Sequence, residues 1–127
     1  MIAVDTSALM AVVLDEQAAA ACSTALAEAP AIVISAATMA EALIVAERRN
    51  VGPAMQRLIQ GLGCEVVPVA EPDAVAVAAA YAKWGKGVHP AGLNYGDCFA
   101  YALARQRGCP LLFVGDDFAR TDVTHAK

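Results

Sequence analysis

The sequence predicts one α/β domain, residues 1–127, with a mainly parallel sheet covered by helices on both faces. Short, wholly apolar runs such as Ile2-Ala3-Val4, Ile32-Val33-Ile34 and Leu111-Leu112-Phe113-Val114 alternate with longer helical stretches. Strands apolar at every position belong to sheets buried on both sides, because a half-exposed strand would alternate with polar residues. The composition agrees: 58% hydrophobic and 17% charged residues exclude a disordered chain, and 127 residues suit a single domain.

The elements follow in order. Ile2–Val4 reads as a buried strand ending at Asp5, followed by a short helix from Ser7 to Leu14. A second helix, Glu16 to Ala29, stops before Pro30, which cannot continue it. Ile32–Ile34 is the next buried strand. Thr38 to Arg49 is a helix with Leu43, Val45 and Ala46 among its apolar positions. Pro53 suits the first turn of a helix reaching about Leu62. Glu65–Val69 reads as a strand and Asp73–Trp84 as a helix. Gly85 to Gly92 is a loop rich in glycine and proline. Tyr95–Arg107 is a helix with Gly108 at its C-terminal stop. Leu111–Val114 is the last strand. Abundant alanine favours helices that pack closely.

Several function classes drop out. No run is long and apolar enough to span a bilayer; Ala31 to Val45 is interrupted by Ser35, Thr38 and Glu41. The start, Met1-Ile2-Ala3-Val4-Asp5, has no basic segment of the kind that opens a secretory signal. The four cysteines, Cys22, Cys64, Cys98 and Cys109, are scattered without zinc spacing, and are expected as free buried thiols of a cytoplasmic protein. A net charge of −4 argues against a coat protein for nucleic acid, which needs a basic excess. It leaves open an enzyme that handles nucleic acid through metal ions.

The carboxylates are the informative residues. Asp5 closes the first strand, at the edge where parallel sheets bind ligands; it also suits an N-cap for the following helix, as do Thr6 and Ser7. Glu41, taken alone, reads as half of a capping box with Thr38. Asp97 suits the first turn of a helix capped by Asn94, yet it lies beside Cys98, Phe99, Ala100 and Tyr101, where an anion is costly unless paired. Asp116 and Asp117 follow the last strand, at the ligand edge again or in a plain polar turn. Each position has a structural explanation. Together they place several acids near one edge, where they would repel without cations, and such oxygen ligands suit Mg²⁺ or Mn²⁺.

These residues resemble the PIN-domain ribonucleases, specifically VapC-type toxins of type II toxin–antitoxin systems, over essentially the whole chain. The matching stretches are Ile2-Ala3-Val4-Asp5-Thr6-Ser7-Ala8-Leu9, Ala40-Glu41-Ala42-Leu43, Leu93-Asn94-Tyr95-Gly96-Asp97-Cys98-Phe99-Ala100-Tyr101-Ala102, and Leu111-Leu112-Phe113-Val114-Gly115-Asp116-Asp117-Phe118 with Thr121-Asp122. The third is the most specific. The resemblance implies a three-layer α/β/α sandwich and a divalent-metal-dependent endoribonuclease. It makes Asp5, Glu41 and Asp97 metal-associated acids, with Asp116 or Asp117 as the fourth. Many family members carry an acid two residues before the one preceding Phe; that position here is Gly115, and Asp117 directly precedes Phe118. A water activated by the metal would attack the RNA phosphodiester. The resemblance further implies a homodimer and a VapB-type antitoxin that blocks the acidic groove with an extended segment and a basic side chain.

The cations are dispersed. Lys86, His89 and Arg120 are the candidate RNA contacts, the first two because their loop leads into the Asp97 stretch. Tyr81, Trp84, Tyr95 and Tyr101 read chiefly as packing residues. A catalytically inactive PIN-like interaction module is the alternative reading. A phosphatase is disfavoured, since Asp5-Thr6-Ser7 lacks the Asp-x-Asp of haloacid-dehalogenase-type enzymes.

Overall fold

The computed structural model describes residues 1–126. Four strands, β1 (Ile2–Val4), β2 (Ile32–Ser35), β3 (Glu65–Val67) and β4 (Leu111–Leu112), form one parallel sheet in the order β3-β2-β1-β4. Six helices connect them: α1 (Thr6–Val13), α2 (Ala19–Glu28), α3 (Ala36–Arg48), α4 (Gly52–Leu62), α5 (Glu71–Trp84) and α6 (Tyr95–Arg107). The register places Ala3 beside Val33 on one side and Leu111 on the other.

Alternation along the strands builds two cores. Val4, Ile32, Ile34 and Leu112 face one layer, where Leu9 of α1, Leu26 of α2, Ala42 and Ala46 of α3, and Met55 and Ile59 of α4 pack. Ala3, Val33, Leu111 and Phe113 face the other, against Val77 of α5 and Phe99 and Leu103 of α6. Both faces are thus covered, as the wholly apolar strands require. Each buried Leu, Ile or Phe side chain contributes about 1.5–3 kcal/mol.

Several boundaries differ from expectation. α1 begins at Thr6 because Asp5 caps it. α2 begins at Ala19, not Glu16: Asp15 adopts a positive φ of 52°, and the intervening residues turn before the helix starts. α3 begins at Ala36, with Ser35 as its cap, so Thr38 lies within the first turn and forms no capping box with Glu41. β3 ends at Val67, before Pro68, and α5 begins at Glu71. β4 is only Leu111–Leu112. Cys22 and Cys98 are buried, whereas Cys64 and Cys109 are partly exposed; all four are free. Among the described residues, no helix is long and apolar enough to cross a membrane.

Chain order along the sheet reverses between β1 and β4. β2 and β3 extend outward on one side of β1, and β4 lies alone on the other. A crevice opens at such a switch point, outside the carboxyl ends of the strands. Asp5 leaves β1 there, and the segment following β4 runs beside it.

Candidate metal centre

Asp5 is 3% exposed, a charged group almost sealed in the fold. Its Oδ2 accepts hydrogen bonds from the Ser7 backbone N–H at 3.0 Å and the Ser7 hydroxyl at 2.6 Å. Its Oδ1 is buried with no partner. Burial pushes the Asp5 carboxyl up to about 6, the two bonds from Ser7 oppose that rise, and the charges of Asp97 and Glu41 add to it. The Ser7 hydroxyl also accepts from the Val114 backbone N–H at 3.0 Å, and Asp5 N–H donates to the Leu112 carbonyl at 3.0 Å. One serine therefore ties the start of α1 to the segment carrying Asp116 and Asp117.

Glu41 is partly buried on α3, and its Oε1 accepts from the Thr6 hydroxyl at 2.6 Å. The carboxylate is held by α1, a long-range contact rather than a local cap. Asp97 is the third residue of α6. It forms the expected reciprocal box with Asn94: Asn94 N–H donates to Asp97 Oδ2 at 2.9 Å, and Asp97 N–H donates to Asn94 Oδ1 at 2.8 Å. Burial raises the Asp97 pKa against the lowering effect of the Asn94 backbone, with the charges of Glu41 and Asp117 raising it further.

The fold thus brings Asp5, Glu41 and Asp97 into mutual electrostatic contact, with Asp117 joining through Asp97. Asp116 and Asp117 are both exposed, and only the charge of Asp117 adds to the rise at Asp97. Of the two, the acid directly before Phe118 is thus the one felt at Asp97. Asp122 is engaged elsewhere, accepting from the Tyr101 hydroxyl at 2.5 Å and pairing with Arg105 at 3.7 Å.

The donor set consists of hard carboxylate oxygens, and the orphaned Oδ1 of Asp5 is the kind of atom a cation satisfies. The residues fit Mg²⁺ or Mn²⁺ in chemistry. Among the described residues, no group of three or more His, Cys, Asp or Glu side chains is arranged closely enough to hold a metal ion.

The other candidate residues occupy different positions. Lys86 is exposed on the wall of an apolar groove of about 790 Å³ between α5 and α6, shared with Val77, Tyr81, Asn94, Tyr95 and Phe99. Asn94 places this groove at the N-terminus of α6, beside Asp97. His89 is partly buried: its Nδ1 accepts from Ala91 N–H at 2.9 Å and its ring meets the Trp84 ring edge-on at 4.7 Å. Arg120 is exposed and donates to the Pro90 carbonyl at 3.4 Å. Tyr95 is 73% exposed at the mouth of the groove, unlike the buried Tyr101, whose hydroxyl accepts from the Trp84 indole N–H at 2.9 Å. The roles of Thr6 and Ser7 in holding Glu41 and linking Asp5 to Val114 have no signal in sequence spacing, since their partners lie 35 and 107 residues away.

The PIN-domain family profile matches residues 2–123. Ribonuclease VapC28 of Mycobacterium tuberculosis is 46% identical over 127 residues, covering 97% of this chain and 96% of the relative. Ribonuclease VapC of Mycolicibacterium smegmatis is 44% identical over 123 residues, covering 94% and 95%. The crystal structure of M. tuberculosis VapC20, a toxin that cleaves the sarcin–ricin loop, superposes with a TM-score of 0.82 at 16% identity, covering 100% of this chain and 99% of that one. A toxin–antitoxin complex from Klebsiella pneumoniae contains a chain matching with a TM-score of 0.72 at 19% identity, covering 96% and 93%. With the family profile spanning residues 2–123 and relatives 46% and 44% identical along nearly the whole length, the chain belongs to the PIN-domain family, in its VapC branch.

Proposed function

We propose that this chain is a divalent-metal-dependent endoribonuclease and the toxin of a toxin–antitoxin pair. The observation that carries the proposal is the buried, unpartnered Oδ1 of Asp5 beside Glu41 and Asp97. Isolated burial of such an oxygen is costly, and a cation would offset that cost. When bound, Mg²⁺ or Mn²⁺ supplies Lewis acidity toward a phosphate and lowers the pKa of water.

The residues divide the work. Asp5 and Asp97 would hold the ion from the most restrained positions, the end of β1 and the first turn of α6. Glu41 would complete the set, its carboxylate aimed by Thr6. Asp117 would join from the segment after β4, directly or through water. Lys86, on the groove wall, is the cation best placed for an RNA phosphate; Arg120 and His89 would be secondary contacts. Such cations position a backbone without reading sequence.

The named relatives support RNA as the substrate class, and the complexed structural neighbour supports an antitoxin partner. A VapB-type antitoxin would enter the groove beside Asp97 and oppose its negative charge with a basic side chain. A homodimer working in the cytoplasm completes the reading. Purified protein titrated with Mn²⁺ should cleave RNA, and Asp97→Asn should abolish cleavage with the fold retained. Full cleavage by Asp97→Asn would contradict the assignment, and no cleavage by the wild type at any metal concentration would favour an inactive interaction module.

A further inference from the structure

We infer that Gly96 is a positioning residue for the acid cluster: its missing side chain leaves the space that the Glu41 carboxylate occupies beside Asp97. This rests on the metal-site reading above. Gly96 is the second residue of α6, and its φ is not among the positive ones, so the backbone does not call for glycine. Glycine is a poorer helix residue than alanine, so its presence within the first turn needs another cause.

The space around it supplies that cause. A Cβ added at Gly96 would overlap Glu41 Oε2 and lie 2.8 Å from Glu41 Cδ and 3.0 Å from Oε1. All three nearest atoms belong to the end of one side chain, and none is backbone. On its other side, the same carboxylate is gripped by the Thr6 hydroxyl at 2.6 Å. Glu41 thus sits between a donor on α1 and the bare backbone of α6. Gly61, a helical glycine in α4, has nothing within 4 Å of an added Cβ and serves as the contrast.

The consequence separates folding from function. A methyl group at position 96 would push aside the flexible end of Glu41 and leave the helix intact. The loss would fall on the placement of the carboxylate, and through it on the metal.

The test compares wild type, Gly96→Ala, Gly61→Ala, Glu41→Asp and the double variant Gly96→Ala/Glu41→Asp by thermal unfolding in EDTA and by Mn²⁺ titration calorimetry. Both glycine variants should melt no lower than wild type. Gly61→Ala should bind Mn²⁺ as wild type does, whereas Gly96→Ala should lose about 10–100-fold in affinity, the range seen when a ligand loses its support. Glu41→Asp, one methylene shorter, withdraws the carboxylate from the new methyl, so the double variant should bind more tightly than Gly96→Ala alone. Wild-type affinity in Gly96→Ala, simple addition of the two single losses, or a melting point several degrees below wild type would overturn this inference while leaving the metal site standing. A wild type that takes up no Mn²⁺ would overturn the metal reading and this inference with it.

Discussion

Asp5 does two jobs with two oxygens. Oδ2 caps α1 through Ser7, and Oδ1 is buried without a partner. The capping job was legible from its position after an apolar strand; the near-complete burial was not, because it depends on β4 lying alongside. Its charge is a burden on the metal-free fold. A carboxyl raised from 3.8 to about 6 by folding holds its proton more tightly in the native state, so this contribution favours folding at low pH and is lost as pH rises through that interval. Asp5→Asn keeps a capping side chain and removes the charge. In EDTA at pH 7.5 it should be more stable than wild type by about 1–3 kcal/mol in urea unfolding, with the gain shrinking toward pH 4. Metal binding runs the other way: Mn²⁺ needs the ionised carboxylate, so its affinity should rise as pH increases from 5 to 7, with protons released on binding, as calorimetry in buffers of different ionisation enthalpy would register. Glu41 shows where reading from spacing ends. Thr38 precedes it at the capping-box interval, but Ser35 takes the cap and the glutamate turns to Thr6 on another helix.

The helices at the acids are capped by side chains at their first turns, and α6 alone matches its expected span at both ends, marked by Asn94 and Gly108. Asp5 before α1, Ser35 before α3 and Asn94 before α6 all cap their helices, each worth about 1 kcal/mol. Two of these caps lie at the cluster itself, so the interactions that start the helix also aim the acid. α2 was misjudged because Ala18 offers no capping side chain to mark its start. α5 and α6 are joined by a polar clamp that no spacing announced: Trp84 donates to the Tyr101 hydroxyl, which donates to Asp122. Tyr101→Phe removes both bonds while keeping the ring, and should lower stability by about 1–2 kcal/mol in chemical denaturation. Because its hydrogen bonds involve none of Asp5, Glu41, Asp97 and Asp117, RNA cleavage per folded molecule should be unchanged; a selective loss of cleavage would show that the clamp reaches the site.

At the scale of the whole molecule, strand order decides the location of the chemistry. The alternation of apolar runs and helices predicted the parallel sheet, while the order β3-β2-β1-β4 emerges only from tertiary pairing. That order creates the switch point beside β1, and with it the meeting of acids far apart in the chain. The net charge of −4 acquires a location: part of the acidity is concentrated where a cation would reverse the local field, so bulk acidity is compatible with an RNA substrate. On the proposed reading, a basic side chain of the antitoxin would oppose this concentration of charge. Antitoxin affinity should therefore fall when Asp5 and Asp97 are both changed to Asn, measured by surface binding at fixed salt; unchanged affinity would rule out electrostatic blocking. The central claim is that the carboxylates at the switch point cut RNA through a divalent cation. The most direct measurement is the cleavage rate of a defined RNA against Mn²⁺ concentration for wild type and Asp97→Asn, with both shown to be folded. The account predicts saturable, EDTA-reversible cleavage by the wild type and none by Asp97→Asn; metal-independent cleavage, or equal rates in the two proteins, would contradict it.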